Sequence, residues 1–194
     1  LLKTIVEKAY IEIEIITDID GLITNEKGIV LATYYADCVP LLIVDTKNKA
    51  IGLSHSGWRG TVGKIGKVTI EKMGELYGTK PEDIVACIGP SICQKCYEIS
   101  EEVAVQFKEA FPDNIKEILI DKGNGKYQLD LWECNRINFK EAGVLPENIK
   151  VTDICTCHNT DVLFSHRGHN GKRGNLGAFY QLYKWDNRVK DIWK

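Results

Sequence analysis

The sequence predicts a mixed α/β fold with a mostly antiparallel or mixed sheet and helices outside it. Two apolar runs, residues 39–44 (VPLLIV) and 50–53 (AIGL), are joined by the polar segment DTKNK, which is the pattern of an antiparallel hairpin. Apolar residues recur largely at helical spacing in residues 61–77, and a second helical segment, residues 131–142, also ends at a glycine. A chain of 194 residues that is 44% hydrophobic can bury a sizeable core. We therefore expect a single domain over residues 1–194.

The remaining elements follow from shorter patterns. Residues 10–16 (YIEIEII) alternate apolar and acidic side chains, which is typical of a strand with one face in water. The turn after it contains Asp20, which we expect to be a surface acid with a structural role. Further strands are expected at residues 29–35, around 84–88, on either side of the turn DKGNGK, at 149–154 and in the segment LGAFYQLY, and a further helix at about 100–111.

The ends of the hairpin carry the residues that could take part in catalysis or binding. Cys38 precedes the first apolar run and His55 follows the second, so antiparallel pairing would place thiol and imidazole side by side. Asp37 adjoins the thiol, and Arg59 lies between two glycines, with a planar fork of donors suited to phosphate or carboxylate. Each residue alone is more often a buried cysteine, a core histidine or a surface arginine. Together the four favour a functional site.

The helix expected over residues 61–77 would begin directly after Arg59. Its free N–H groups and the positive end of its dipole would then face the same site, where an anion could be held.

Five motifs carry a resemblance to a known family. They are, in chain order, YADCVPLLIVD, GLSHSGWRG, ACIGPSICQKCYEIS, DLWECNRINFKEAGV and CTCHNTDVLFSHRGHNGKRGNLGAF, and the match runs from about residue 20 to about residue 179. In this order they resemble the laccase-domain family, whose members are known as multicopper polyphenol oxidases and as zinc-dependent purine nucleoside phosphorylases with adenosine deaminase activity. The resemblance implies a layered α/β/β/α sandwich with mixed, mainly antiparallel sheets.

The resemblance also implies a metal site. In the family a metal is held by the cysteine of the ADC motif, here Cys38, by the histidine of the HxGWRG motif, here His55, and by a second histidine that precedes both. This chain has no histidine before His55 and starts with Leu1. We therefore expect it to lack the N-terminal part of the family. The implied metal is zinc, with copper as the alternative.

Substrate-binding residues are implied by two further motifs. The Gly-Pro-x-Ile loop borders the active site in the family, which nominates Gly89 and Ser91 as a substrate wall. The stretch FSHRGH nominates His166 and Arg167 as lining residues and adds His169 as a candidate.

Several residues of these motifs have a simpler alternative. For His169 and His158 a loop histidine bonded to the backbone is the favoured alternative. We expect Tyr97 and Glu98 to serve packing and capping. Residues 135–136 are expected on a solvated helix surface.

Charge and hydropathy restrict the partners. A net charge of −2 and a pI near 6.1 provide no basic field for nucleic acid, so a small molecule fits better. By the resemblance that molecule is a purine nucleoside, which is adenosine, inosine or methylthioadenosine, together with phosphate. No apolar run approaches the roughly 20 residues that span a bilayer, and we expect a cytoplasmic protein without a membrane partner. The family implies a monomer or a homodimer.

The cysteines indicate a reducing compartment. Seven is an odd number, so a complete disulfide framework is impossible. Cys93 and Cys96 form a C-x-x-C, and Cys155 and Cys157 form a C-x-C, which suggests a second, four-thiolate zinc site. The C-x-C spacing is tight and the pairs are distant in sequence, so structural thiols are the favoured interpretation.

Three catalytic hypotheses and one non-catalytic hypothesis follow. The first is a zinc enzyme in which Asp37, Cys38 and His55 are the catalytic residues and Arg59 binds phosphate. The second is a metal-free Cys–His hydrolase or deamidase, because the fold resembles that of the cytotoxic necrotizing factor toxins. The third is a copper laccase, for which four histidines are few. The non-catalytic hypothesis is a binding module that keeps only a remnant of the site.

Overall fold

The structure is a computed structural model that describes residues 2–4 and 19–183. The strand expected over residues 10–16 and the segment 184–194 lie outside the described residues. The strands are β1 (Leu2–Thr4), β2 (Gly21–Thr24), β3 (Val30–Tyr35), β4 (Val39–Asp45), β5 (Ala50–Ser56), β6 (Ile84–Ile88), β7 (Glu98–Ser100), β8 (Leu119–Gly123), β9 (Lys126–Leu129), β10 (Ile149–Val151) and β11 (Leu176–Gln181). The helices are α1 (Trp58–Val62), α2 (Ile65–Tyr77), α3 (Glu101–Ala110), α4 (Ile115–Ile118) and α5 (Leu131–Glu141).

The strands form three sheets. The largest has the order β1-β2-β5-β4-β6-β10, in which the two outer pairs are parallel and the inner pairs antiparallel. Strands β3 and β11 form an antiparallel ribbon, and β7, β9 and β8 form a third, antiparallel sheet. The predicted α/β class with mixed, mainly antiparallel sheets is confirmed.

The predicted central hairpin is the middle of the large sheet, and both of its faces are covered. Leu41 and Ile43 of β4 belong to the main core, which also contains Met73 of α2 and Phe139 of α5. Their neighbours in sequence pack on the opposite face in a smaller core with Leu31 of β3. A strand buried on both faces has no reason to alternate, which explains the continuous apolar run.

Helix α2 packs closely on β5 because the strand carries a glycine at the point of contact. A Cβ at Gly52 would lie 2.9 Å from Thr69 Cγ2 and 3.2 Å from Met73 Sδ. Any side chain there would push the helix from the sheet.

The expectation of one helix over residues 61–77 was wrong in where the helix begins and in its continuity. The chain forms α1 from Trp58, which contains Arg59, and then breaks before α2. The break lies at Lys64, whose φ of 55° is left-handed. The start of the long helix is therefore separated from Arg59 by this break, and the helix that adjoins the cavity is the short α1.

Among the described residues, no helix combines the length and the apolar character that crossing a bilayer would need.

Candidate active site

A cavity of about 580 Å³ lies where β4 begins and β5 ends. Its walls include six of the eight residues that the sequence nominated. The lining residues are Asp20, Ala36, Asp37, Cys38, His55, Gly57, Trp58, Arg59, Gly60, Ile92, Tyr97, Leu131, His166, Arg167 and Arg173.

The hairpin register brings His55 to Cys38. In the β4–β5 ladder His55 pairs with Pro40, and Pro40 lies two residues after Cys38 in the sequence. Asp20, directly before β2, accepts a hydrogen bond of 2.7 Å from the His55 backbone N–H through its carbonyl oxygen. Its carboxylate Oδ1 lies 2.9 Å from His55 Nδ1. Asp20 is a surface acid, as expected, with 56% of its side chain exposed, and it also orients the imidazole from one side.

The other ring nitrogen of His55 faces the thiol across Gly57. A Cβ placed on Gly57 would lie 3.2 Å from Cys38 Sγ and 3.9 Å from His55 Nε2. The thiol and the edge of the imidazole, whose Cε1 would lie 3.7 Å from the same Cβ, thus border one small space beside Gly57. Zinc is typically bound by thiolates and by imidazoles, and the second nitrogen of such an imidazole is often hydrogen-bonded to a carboxylate. Cys38 and His55 therefore fit part of a metal site.

Electrostatics couple the same groups. The hydrogen bond with Cys38 raises the pKa of His55, burial opposes the rise, and the contact with Asp20 adds to it, which brings the pKa to about 9. The ring also stacks on Tyr35, with 5.7 Å between ring centroids.

Asp37 lies beside the thiol but is fully engaged in hydrogen bonds. Its φ of 78° is left-handed, which an aspartate tolerates better than most residues. One carboxylate oxygen accepts from Thr156 Oγ1 over 2.7 Å and the other from the backbone N–H of Arg167 over 2.8 Å. The carboxylate thus holds a distant loop against Cys38, and the catalytic role of Asp37 stays a prediction.

Three arginines give the cavity its positive charge. The guanidinium of Arg59 lies 4.2 Å above the ring of Trp58. That of Arg167 lies 5.1 Å from the Tyr97 ring centroid and donates to Glu98 O over 2.7 Å.

The third arginine, Arg173, comes from the basic, glycine-rich segment HNGKRGN. That segment belongs to the fifth motif of the resemblance, but Arg173 was not predicted as a site residue. Tyr97 was expected to serve packing, whereas it forms part of the wall.

Gly89 and Ser91 do not belong to the cavity wall. A Cβ on Gly89 would approach Pro40 Cγ to 2.7 Å, so the glycine permits close packing there. Ser91 is buried, donates to Gly89 O and accepts from Trp132 Nε1 over 2.7 Å. Their neighbour Ile92 reaches the cavity instead.

Asn135 corrects the expectation of a solvated helix surface. It is fully buried, accepts a hydrogen bond from Ser56 Oγ over 2.9 Å and donates to Leu131 O and Thr61 Oγ1. It therefore ties α5 to the segment between His55 and α1. Arg136 behaves as expected, since it pairs with Glu133 at the surface.

The two loop histidines differ. His169 bonds to the backbone of Ser165, as expected. His158 instead contacts the thiols of Cys93 and Cys96, outside the cavity wall.

Comparison with known proteins places these features in a family. Residues 3–182 match the family model described as multi-copper polyphenol oxidoreductase laccase. The chain is 38% identical over 160 residues to purine nucleoside phosphorylase YlmD of Bacillus subtilis. This alignment covers 82% of this chain and 57% of the relative. The chain is also 38% identical over 164 residues to adenosine deaminase RL5 from an unknown prokaryotic organism, covering 83% and 62%.

Solved structures share the fold. The crystal structure of YlmD from Geobacillus stearothermophilus superposes with a TM-score of 0.81 at 35% identity, covering 85% of this chain and 61% of that one. The chain thus spans about three fifths of the length of the relatives it matches.

Proposed function

The chain belongs to the multi-copper polyphenol oxidoreductase laccase family, and on that premise we propose that it is a zinc-dependent purine nucleoside phosphorylase that also deaminates adenosine. The observation that carries the proposal is the convergence of Cys38 and His55 in one cavity with three arginines. The relatives named purine nucleoside phosphorylase and adenosine deaminase support the two reactions.

Cys38 and His55 would hold the metal. Zinc bound there would supply a Lewis acid and a water of lowered pKa. With a metal bound, the Asp20 carboxylate would hold the remaining ring proton on Nδ1 and leave Nε2 to act as the ligand. The family's further histidine ligand has no counterpart before His55 in this sequence.

The charge balance of the cavity favours an anionic co-substrate. Asp20 is engaged by His55, and Asp37 by Thr156 and Arg167. The cavity wall therefore contains more guanidinium groups than carboxylates that remain to pair with them. These guanidinium groups belong to Arg59, Arg167 and Arg173. Inorganic phosphate suits such forks through bidentate, charge-assisted hydrogen bonds.

In the phosphorolysis that we propose, a phosphate oxygen forms a bond to ribose C1′ while the bond from C1′ to the purine nitrogen breaks. The base leaves with the electron pair and takes up a proton. Ile92, Leu131 and the Tyr97 ring supply the apolar surface against which a purine can pack.

The metal-free alternative has one observation in its favour. Cys38 and His55 line the same cavity, and the thiol raises the pKa of the imidazole, as in the Cys–His pairs of thiol hydrolases. The copper alternative is weaker, because His158 and His169 are engaged outside the cavity, which leaves His55 and His166 among the four histidines of the chain. Elemental analysis of the purified protein, together with variants of Cys38, separates the three.

The sharpest test concerns Arg59. Removal of a fork that binds phosphate takes away charge-assisted hydrogen bonds worth about 1.5–3 kcal/mol each. Arg59→Ala is therefore expected to raise the KM for phosphate at least about tenfold in inosine cleavage. Arg59→Lys should recover only part of the loss, since an ammonium lacks the planar pair of donors.

Adenosine deamination in phosphate-free buffer is the control reaction. It consumes water rather than phosphate and should lose much less activity in both variants. Equal losses in the two reactions would show that Arg59 maintains the shape of the site instead of binding phosphate. A protein that cleaves no purine nucleoside and deaminates no adenosine would contradict the proposal as a whole.

A further inference from the structure

A second cluster of metal-ligating side chains lies outside the cavity. The ligand atoms of Cys93, Cys96, Cys155 and His158 all lie within 4.8 Å of one another, and the three cysteines are free thiols. None of the four residues lines the cavity at Cys38 and His55. In the sequence they form a C-x₂-C at residues 93–96 and a C-x₂-H at residues 155–158. Two ligands separated by two residues on each of two segments is a common arrangement in structural zinc sites.

The distances within this Cys₃His cluster suit a tetrahedral ion. Cys96 Sγ lies 3.1 Å from His158 Nε2 and Cys93 Sγ lies 3.8 Å from Nδ1 of the same ring, so the imidazole faces both thiols, and one of its two nitrogens would bind the ion. Zinc bonds of about 2.3 Å to sulfur and about 2.0 Å to nitrogen place tetrahedral ligands roughly 3.5–3.8 Å apart. Since the four ligand atoms lie within 4.8 Å of one another, their separations need to close by roughly one ångström for them to share one ion.

The backbone holds both segments in place. Cys93 and Cys96 flank a single 3₁₀ turn, in which Cys96 N–H donates to Cys93 O over 3.0 Å. The backbones of Ser91 and Cys155 pair as an isolated bridge, and Cys93 N–H donates to Cys155 Sγ over 3.4 Å. Such N–H donors to sulfur stabilise a thiolate, the form that binds metal.

We propose that Cys93, Cys96, Cys155 and His158 bind one Zn²⁺ in a closed, structural site. Four protein donors fill a tetrahedral coordination sphere and leave no open position for substrate. The C-x-x-C and C-x-C pairs of the sequence suggest four thiolates there, but the geometry selects His158 in place of Cys157.

The site would join two segments that build the cavity wall. Tyr97 directly follows Cys96, and Arg167 lies on the segment that continues from His158. The two residues meet where the Arg167 guanidinium packs on the Tyr97 ring. A metal at the cluster would therefore help to hold Tyr97 and Arg167 in place in the cavity wall. It would take no part in the reaction.

The test is the zinc content of the reduced full chain, purified from Zn²⁺-containing medium and measured by elemental analysis. The double variant Cys38→Ser/His55→Ala, which lacks the cavity donors, is expected to keep one zinc per chain. Adding Cys96→Ser or His158→Ala to it should abolish that zinc. Cys87→Ser and Cys157→Ser are the matched controls, and both should retain it.

Two further measurements separate metal loss from misfolding. His158→Cys keeps four donors and is expected to restore zinc that His158→Ala loses. Cobalt substituted into the double variant should show thiolate charge-transfer absorption, which is unchanged by Cys157→Ser. A zinc-free double variant with reduced thiols, or full zinc in the folded Cys96→Ser and His158→Ala variants, would overturn the proposal. Zinc lost with Cys157→Ser but kept with His158→Ala would overturn the proposed ligand set.

Discussion

At the scale of single residues, one carboxylate sets the chemistry of the histidine. The contact of 2.9 Å between Asp20 Oδ1 and His55 Nδ1 fixes which ring nitrogen faces Cys38. A partner of this kind orients the imidazole and raises its basicity as a ligand. We therefore assign Asp20 a positioning role for His55.

Asp20→Asn is expected to weaken zinc binding at Cys38 and His55 by about 10–100-fold, the usual effect of removing such a partner. The measurement is a competition titration with a zinc chelator, on protein whose Cys₃His cluster is unaltered. Glu26→Gln removes the same charge from the following turn and should leave the affinity unchanged. An affinity that is equal in the parent and Asp20→Asn would mean that the carboxylate only supports the fold.

The position of a side chain could be predicted where local spacing determines it. The proximity of Cys38 and His55 was predictable, because strand pairing across a short connection fixes which ends meet, while their roles stay a prediction. The contact of Asp20 with His55 was not predictable, since its partner is 35 residues away and an acid in a turn has no distinctive pattern. The burial of Asn135 was not predicted for the same reason, because its contacts with Ser56 and Thr61 span 79 and 74 residues.

At the scale of elements, the β4–β5 hairpin has one reactive end and one structural end. At the turn, the buried carboxylate of Asp45 accepts the backbone N–H of Lys47 and of Asn48, at 2.9 and 2.8 Å. Burial alone would raise the pKa of Asp45, but these N–H donors together with side-chain hydrogen bonds from Thr79 and Asn48 outweigh it, and the pKa lies below its ordinary value. The ionised form therefore stabilises the turn.

Asp45→Asn is expected to lower the free energy of unfolding at neutral pH by roughly 1–3 kcal/mol. Because the folded pKa is depressed, the contribution of Asp45 is complete above the unfolded pKa of about 3.9 and disappears as pH falls through the folded pKa. Denaturant unfolding of parent and variant should thus converge in acid. Asp121→Asn, at a similar but exposed turn, is the control and should change little. A stability difference that persists below both pKa values would refute the electrostatic explanation.

The helices show where the spacing of apolar residues no longer predicts the boundaries of an element. Apolar spacing over residues 61–77 is continuous, yet Lys64 adopts a left-handed conformation that ends α1. Lysine has no preference for that conformation, so Lys64 itself does not mark the break, and the only local signal is Gly63 at the C-cap of α1. The α5 boundary was predictable, because Asp130 caps the helix by accepting the Glu133 N–H.

At the scale of the whole molecule, the cavity is assembled by contacts between segments that are far apart in sequence. Asp37 binds Thr156 and Arg167, which are 119 and 130 residues away. The family resemblance predicted that Arg167 lines the cavity, but it did not show what holds the arginine there. Only the relative placement of the sheets and loops brings Asp37 to this segment, which is why no local pattern anticipated it.

The substitution Thr156→Val tests whether this contact holds the cavity together. Valine keeps the shape of threonine but removes the hydrogen bond of 2.7 Å to the buried Asp37 carboxylate, so the free energy of unfolding should fall by about 1.5–3 kcal/mol. The KM for phosphate should also rise, because Asp37 then holds Arg167 less firmly. Thr152→Val is the matched control on the same segment, since its hydroxyl donates only to the Ile88 carbonyl, and it should cost about 0.5–1.5 kcal/mol without changing the KM. Denaturant unfolding and phosphate saturation curves measure both effects. Equal results for the two variants would mean that the loop is positioned by its packing and its backbone bonds, and that Asp37 is available for the catalytic role that the sequence suggests.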